Sequence, residues 1–422
     1  MARNMKDSGI EWIGEIPEGW EVAPLKRFTS IQTGNTPSKT SDSNYYASTG
    51  IPWIKPDNLG YSHSISKTSE HLTSEGALCA RIMPPNTVYV CCIGSLGKVG
   101  YSSISCACNQ QINALIFNDL MFWKYGYYLT IAQESQYLLF GNGNVLQIIN
   151  STSQGNIACV LPPLENQHLI ACYLDSVCSD IEVLISKTRS SIEEYKKLKQ
   201  AVITQAVTKT IYDDFGNPSK FRKLRSLCDV LSKGTTPKDI ETQNDEFYCI
   251  RYLKSENIVS NQLNLNPTFF ITAETNNSLE RSKLNSGDIL FVIAGASIGK
   301  VAITTADFLP ANTNQAVAFI RLSSSYQYAT KYIWYFLQSD VVKQLIALSA
   351  VQSAQPNLSL EDLGAMRLPL PDQMGCLKIT DYLDAKCAEI DKLIAKKEQL
   401  VKELESYKKS LIYEVVTGKR EV

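Results

Sequence analysis

The sequence predicts an α/β (mixed α+β) protein: two tandem globular domains joined by two long helices that form an antiparallel coiled coil. Three observations carry this prediction. The chain is written twice, each copy opens on short strand-like runs, and each copy closes on one long amphipathic helix. At 422 residues the chain is also too long for a single ordinary core.

The repeat is read from residue pairs. Tyr173-Leu174-Asp175 recurs as Tyr382-Leu383-Asp384, 209 positions on, and the same step carries Ile181 to Ile390, Ile185 to Ile394 and Val207-Thr208 to Val416-Thr417. Upstream the step is shorter. Gly34-Asn35-Thr36-Pro37 matches Gly234-Thr235-Thr236-Pro237 at 200, Ser95-Leu96-Gly97-Lys98-Val99 matches Ser297-Ile298-Gly299-Lys300-Val301 at 202, and Asn109-Gln110 matches Asn314-Gln315 at 205. A step that drifts and then holds constant describes a variable domain followed by a helix of fixed length.

The expected boundaries are an N-terminal segment 1–22, a first domain 23–162, a spacer helix 163–208, a second domain 209–368 and a second spacer helix 369–422. In each domain a β-branched or apolar run follows a turn signal (86–90 after Pro84-Pro85, 288–292 after Gly287) and reads as a strand. A short helix at 121–136, and its counterpart at 326–347, complete the two domains. Leu161-Pro162-Pro163 and Leu368-Pro369-Leu370-Pro371 then stop the sheet and start a long helix. Ile170, Leu174, Val177, Ile181, Leu184, Thr188, Ile192, Tyr195, Leu198 and Val202 line one face of the first. Ile379, Leu383, Ile390, Leu393, Leu400, Leu404, Tyr407, Leu411 and Val415 line the second. Steps of three and four, with whole-heptad steps in the second helix, describe a coiled-coil seam, which no isolated helix can bury, so the two helices are expected to pack on each other. The rival arrangement has each helix packed only on its own domain.

Composition sets limits. Hydrophobic residues make up 44% and charged residues 20%, as in a soluble globular protein, and no run is long enough to span a bilayer; the cytoplasm is the expected compartment. The formal net charge of −1 means that any nucleic-acid footprint has to come from local clustering of Lys and Arg. Twelve cysteines without a CxxC pair read as buried free thiols, and three histidines leave little for metal or general-base chemistry.

The opening run Lys6-Asp7-Ser8-Gly9-Ile10-Glu11-Trp12-Ile13-Gly14-Glu15-Ile16-Pro17-Glu18-Gly19-Trp20 resembles the N-terminal signature of type I restriction–modification specificity (S) subunits. So do Leu161-Pro162-Pro163-Leu164-Glu165-Asn166-Gln167 ahead of a long helix and the Gly-x-Thr-Pro turn near the start of each domain. The second copy departs at Pro371-Asp372-Gln373-Met374, where the acidic-Gln turn is missing and the capping argument is weaker. The resemblance implies two target-recognition domains, each reading half of a bipartite site in double-stranded DNA. It implies a helical spacer that docks two methyltransferase (modification) subunits, with restriction/translocase subunits joining them. S-adenosylmethionine, ATP and Mg would belong to those partners, with no cofactor and no catalytic residue in this chain.

Local motifs agree with a non-catalytic chain. Gly295-Ala296-Ser297-Ile298-Gly299-Lys300 has three residues between its glycines and Val301 after the lysine, where a P-loop needs four and a Ser or Thr. A tight turn fits better, either offering Lys98 and Lys300 to a DNA phosphate or serving as a plain exposed turn. Pro162-Pro163 lacks the Asn or Asp and the aromatic of an adenine-methyltransferase loop. Asn109, Gln110, Asn314 and Gln315 could pair with adenine edges, but residues shared by both copies suit scaffold or backbone contact, because two half-sites differ. Base readers are expected where the copies diverge: 39–55, with Lys39, Tyr45, Tyr46, Trp53 and Lys55, and 238–254, with Lys238, Tyr248, Arg251, Tyr252 and Lys254, although Tyr and Trp in strands are more often core. The rival readings are a protein-only coiled-coil scaffold and a self-contained DNA-acting enzyme.

Overall fold

Proline-led starts launch the two longest elements of the computed structural model, which describes residues 3–37, 44–60, 64–65, 68–143, 147–208, 220–238, 240–242, 248–350 and 357–422. The central helix Leu164–Thr208 runs 45 residues and the C-terminal helix Gln373–Val416 runs 44. Their first turns are satisfied differently. Gln167, almost fully buried, accepts from Phe122 N (2.7 Å) and donates to Leu120 O (3.1 Å) and Pro162 O (2.9 Å), tying the helix start to the chain before the short helix. Its counterpart 209 positions on is Cys376, and there Asp372 Oδ1 accepts from Gly375 N at 2.8 Å. The start that lacks the acidic-Gln turn is therefore capped by an aspartate, the residue type best suited to it.

The residues group into two units, Met1–Arg189 with Glu398–Val422, and Ser190–Lys397. In the first, an antiparallel sheet has the order Val99–Ser102, Thr87–Cys91, Ile112–Phe117, Thr29–Thr33. A second sheet, of five short strands, contains Ile51–Ile54 running parallel to Cys106–Cys108. In the second unit the order is Cys228–Lys233, Val317–Leu322, Ile289–Val292, Val301–Ile303, and Tyr248–Leu253 runs parallel to Ala311–Thr313. Side-chain alternation explains the unbroken apolar runs. Ile289 and Phe291 enter the core beneath the helices, while Leu290 and Val292 enter a second core beneath the smaller sheet.

Each expected short helix is two helices: Trp123–Ala132 and Glu134–Phe140 in the first unit, Thr330–Leu337 and Asp340–Ala350 in the second. Gln133 breaks the first by turning its amide inward to Ala158 O (3.2 Å). In the second, Thr204 Oγ1 accepts from Asp340 N (3.0 Å) and restarts the helix.

Within each unit the two long helices run antiparallel. Arg189 pairs with Glu405 (2.6 Å) and Lys408 with Glu182 in the first; Lys199 pairs with Asp391 (2.7 Å) in the second. Both helices also serve the globular cores: Ile203, Val207, Ile379 and Leu383 belong to the main core of the second unit. The seam is out of phase with the expected one at four positions. Leu184, Leu198, Leu400 and Tyr407 are exposed, whereas Ile185, Val401 and Lys408 are buried. One residue along a helix is a rotation of about 100°, so a seam traced through the neighbouring Leu points to solvent.

Candidate nucleic-acid interface

The repeated motifs meet one another. A Cβ on Gly34 would sit 2.2 Å from Cys108 O, and one on Gly234 would sit 1.8 Å from Thr313 O, so both positions require glycine for close backbone approach. Asn35 N donates to Cys108 O (3.0 Å) and Thr235 N to Thr313 O (3.2 Å). Ile112 N donates to Asn109 O and Val317 N to Asn314 O, both at 3.2 Å. The Gly-x-Thr-Pro turn and the Asn-Gln turn are thus two sides of one backbone junction, built the same way twice. Thr36 bonds to the exposed Gln110, while Asn109 is buried and holds Gln111 through Gln111 N (3.1 Å). Gln315 is exposed and Asn314 half-buried.

The glycine-lysine segments are hairpin turns. Gly94 and Gly97, like Gly295 and Gly299, have φ between +79° and +88°. The bonds Cys91 N to Lys98 O and Lys98 N to Ser95 O recur as Val292 N to Lys300 O and Lys300 N to Ser297 O. Lys98 is exposed and Lys300 half-buried at the ends of these turns.

The divergent stretches hold the other candidates. Lys39 lies outside the described residues, and of Tyr248 only its place in the strand Tyr248–Leu253 is described. Trp53 and Tyr252 lie in the core, and Tyr252 donates to Thr235 O (2.9 Å), so neither ring has an open face for a base. Tyr46 packs on Trp53 with ring centroids 4.9 Å apart. Lys55 pairs with Glu70 (2.5 Å), and Lys254 lies 3.5 Å from the Phe269 ring. These two lysines occupy equivalent places: Lys55 N donates to Asn58 Oδ1 (2.8 Å) and Lys254 N to Asn257 Oδ1 (2.9 Å). Tyr45 is half-buried and Lys238 exposed. Arg251, half-buried, donates to Asp307 O (2.6 Å).

A second repeated motif escaped the sequence reading. Lys124-Tyr125-Gly126-Tyr127-Tyr128 matches Lys331-Tyr332-Ile333-Trp334-Tyr335 at a step of 207, a value intermediate between those of the turns and the helices. Tyr125 Oη donates to Val160 O and Val416 O, both 3.0 Å; Tyr332 Oη donates to Pro369 O (2.6 Å) and Val207 O (3.1 Å). Each unit therefore closes on the last turn of a long helix. The N-terminal signature joins the same closure: Tyr413 donates to Trp12 O (2.9 Å), Lys419 to Ile13 O (2.5 Å), and Gly418 packs against Pro17.

All twelve cysteines are free, and burial pushes the thiols of Cys92, Cys108, Cys159 and Cys376 up to about 12. Among the described residues no group of His, Cys, Asp and Glu could hold a metal ion, and no helix is long and apolar enough to cross a membrane.

Comparison with known proteins fits this duplicated architecture. The family model for the type I restriction modification DNA specificity domain matches twice, over residues 17–194 and 217–403. The MjaVIII type I restriction enzyme specificity subunit of Methanocaldococcus jannaschii is 25% identical over 426 residues, covering 96% of this chain and 93% of that one. The EcoKI specificity subunit of Escherichia coli is 24% identical, covering 69% and 64%. A chain solved in a study of complex assembly and conformational transition of the type I R-M system has a TM-score of 0.73 at 13% identity, covering 96% and 99%. The HsdS subunit of Thermoanaerobacter tengcongensis has a TM-score of 0.51 at 14% identity, covering 96% and 98%. With two copies of the family domain spanning most of its length, the chain belongs to the type I restriction–modification DNA specificity family.

Proposed function

We propose that this chain chooses the DNA sequence for a type I restriction–modification complex and performs no chemistry itself. Its two recognition domains, bounded at 23–162 and 209–368, each read one half of a bipartite site in double-stranded DNA. The helices dock two methyltransferase subunits, to which restriction/translocase subunits bind. S-adenosylmethionine, ATP and Mg act in those partners.

One observation carries the reading: the two units repeat their backbone junctions and hairpin turns while the side chains of the intervening stretches differ. Common parts suit common tasks, such as phosphate contact by Lys98 and Lys300, and divergent parts suit two different half-sites. Of the described candidates in the divergent stretches, Lys238 is exposed and Tyr45 and Arg251 are half-buried, whereas Trp53 and Tyr252 lie in the core. With a net charge of −1, isolated-chain affinity should be weak and salt-sensitive, rising when the methyltransferase adds its own contacts.

The direct test is the adenine methylome of cells with and without this gene. Loss of one split motif supports the proposal; an unchanged methylome contradicts it. The helices add a second readout. Residues 166–207 alone would span ~60 Å, beyond the ~34 Å of one DNA turn. Four residues inserted after Ser190 add ~6 Å and keep the seam nearly in phase. The variant should methylate the same half-sites with a spacer longer by about one or two base pairs of ~3.4 Å each. An active variant with an unchanged spacer would show that the helices do not set the distance.

A further inference from the structure

One lysine occupies the same place in both units, and what holds its head differs. Lys55 and Lys254 stand 199 positions apart, as do Trp53 and Tyr252, Asn58 and Asn257, and Glu70 and Phe269. The backbone repeats with that step. Trp53 N donates to Glu70 O (3.2 Å) and Tyr252 N to Phe269 O (2.8 Å). Ile54 pairs in parallel with Cys108, and Leu253 with Thr313. Those partners carry the carbonyls that a Cβ on Gly34 or Gly234 would strike, so each lysine stands one residue beyond a glycine junction.

The side chains around the two ammonium groups do not repeat. In the first unit Glu70 holds Lys55 at 2.5 Å, the pair being 32% and 40% exposed, where it adds little to stability. In the second, Phe269 stands where Glu70 would be. The ammonium of Lys254 lies 3.5 Å from the centre of that ring, and Glu256 is 3.8 Å away. Neither head is needed for the local turn, which the backbone N–H of each lysine closes onto Asn58 or Asn257. A repeated frame with an unlike polar head is what two unlike half-sites require. The heads differ in hydrogen-bonding sense. Lys55 with Glu70 sets a donor beside an acceptor, the complement of adenine's N7 and its N6 amino group in the major groove. Lys254 over an apolar ring offers donors alone, the complement of guanine's N7 and O6.

We propose that Lys55 with Glu70, and Lys254 over Phe269, are equivalent specificity-determining contacts, the first reading an adenine in one half-site and the second a guanine in the other. The assignment rests on the function proposed above and adds which side chains read and which base each takes. Methionine keeps the apolar stem of a lysine and removes the ammonium, so Lys55→Met and Lys254→Met probe the heads with little change in packing. Glu70→Phe gives the first unit the head of the second.

The test is methylome sequencing of cells carrying the full chain with the methyltransferase of its own system. Lys55→Met should make one A·T pair degenerate in one half of the wild-type motif, and Lys254→Met one G·C pair in the other. Discrimination at each pair should fall by about tenfold or more. Glu70→Phe should shift the first of these pairs toward G·C. The half read by the unaltered unit reports that each variant has folded. An unchanged motif from either lysine variant, or degeneracy at a pair of the other kind, would overturn the proposal. So would methylation weakened evenly over all sites, the mark of a phosphate contact. For a variant that methylates nothing, the purified complex is titrated with duplexes altered one pair at a time. Discrimination lost at one pair supports the proposal, and even weakening on every duplex overturns it. Wild-type cells with no split motif would instead overturn the specificity role itself.

Discussion

The two units differ most where a helix begins and least where two turns touch. At the central helix the buried Gln167 satisfies three backbone groups, while its counterpart Cys376 makes one long contact to Pro371 O (3.7 Å) and leaves capping to Asp372. The pairs of adjacent strands diverge too: Glu21–Pro24 is acidic to neutral, whereas Lys220–Lys223 is basic and exposed throughout. Yet both glycine junctions and both tyrosine closures are kept nearly bond for bond. Geometry with no alternative solution is repeated; geometry with several is free to drift.

Substitutions sharpen that contrast, and the glycine junctions should give the largest effect. A methyl group at Gly34 or Gly234 meets backbone oxygen rather than a movable side chain. Each alanine variant should therefore lose about 3 kcal/mol or more in denaturant unfolding. A loss under about 1 kcal/mol at either site would mean the junction is not the fixed point it resembles. Next come the unlike helix starts. Gln167→Leu leaves Phe122 N without its acceptor and should cost on the order of 2–4 kcal/mol, whereas Cys376→Ala should cost less, about 1–2 kcal/mol. Equal losses would erase the distinction between the two starts.

The tyrosine closures should respond alike. Tyr125→Phe and Tyr332→Phe each remove one buried hydroxyl that serves two carbonyls, for about 1–2 kcal/mol apiece. Smallest are the helix-pair lysines. Lys408 and Glu182 are 8% and 17% exposed against 30% and 55% for Lys199 and Asp391. Lys199→Ala should then fall within about 1 kcal/mol of wild type, and Lys408→Ala should exceed it. The reverse order would show that burial does not govern these pairs.

Much of this architecture is legible in the sequence because short motifs of special geometry survive duplication. Gly34 and Gly234, and the glycines flanking Ser95 and Ser297, mark turns that few other residues can make, so they stand out at a regular step. The seam was misphased at Leu184, Leu198, Leu400 and Tyr407 because hydrophobicity alone does not say which of two adjacent apolar residues faces the partner helix. The breaks at Gln133 and before Asp340 leave no local pattern, since each depends on a bond to a distant part of the chain, Ala158 O and Thr204 Oγ1. Trp53 and Tyr252 stand among basic residues, but aromatics in strands are more often core, and both are buried. Two ion pairs join residues about 50 positions apart, from Lys124 to Asp175 and from Lys331 to Asp384, so no local pattern announces them.

The central claim is that each unit reads its own half of the DNA site. It is tested most directly by replacing residues 23–160 with the same region of a relative of different specificity and sequencing the methylome of cells carrying the chimera with its methyltransferase. The account predicts a methylated motif with one half changed, the other half intact and the spacer unchanged. A motif altered in both halves, or in neither, would contradict it.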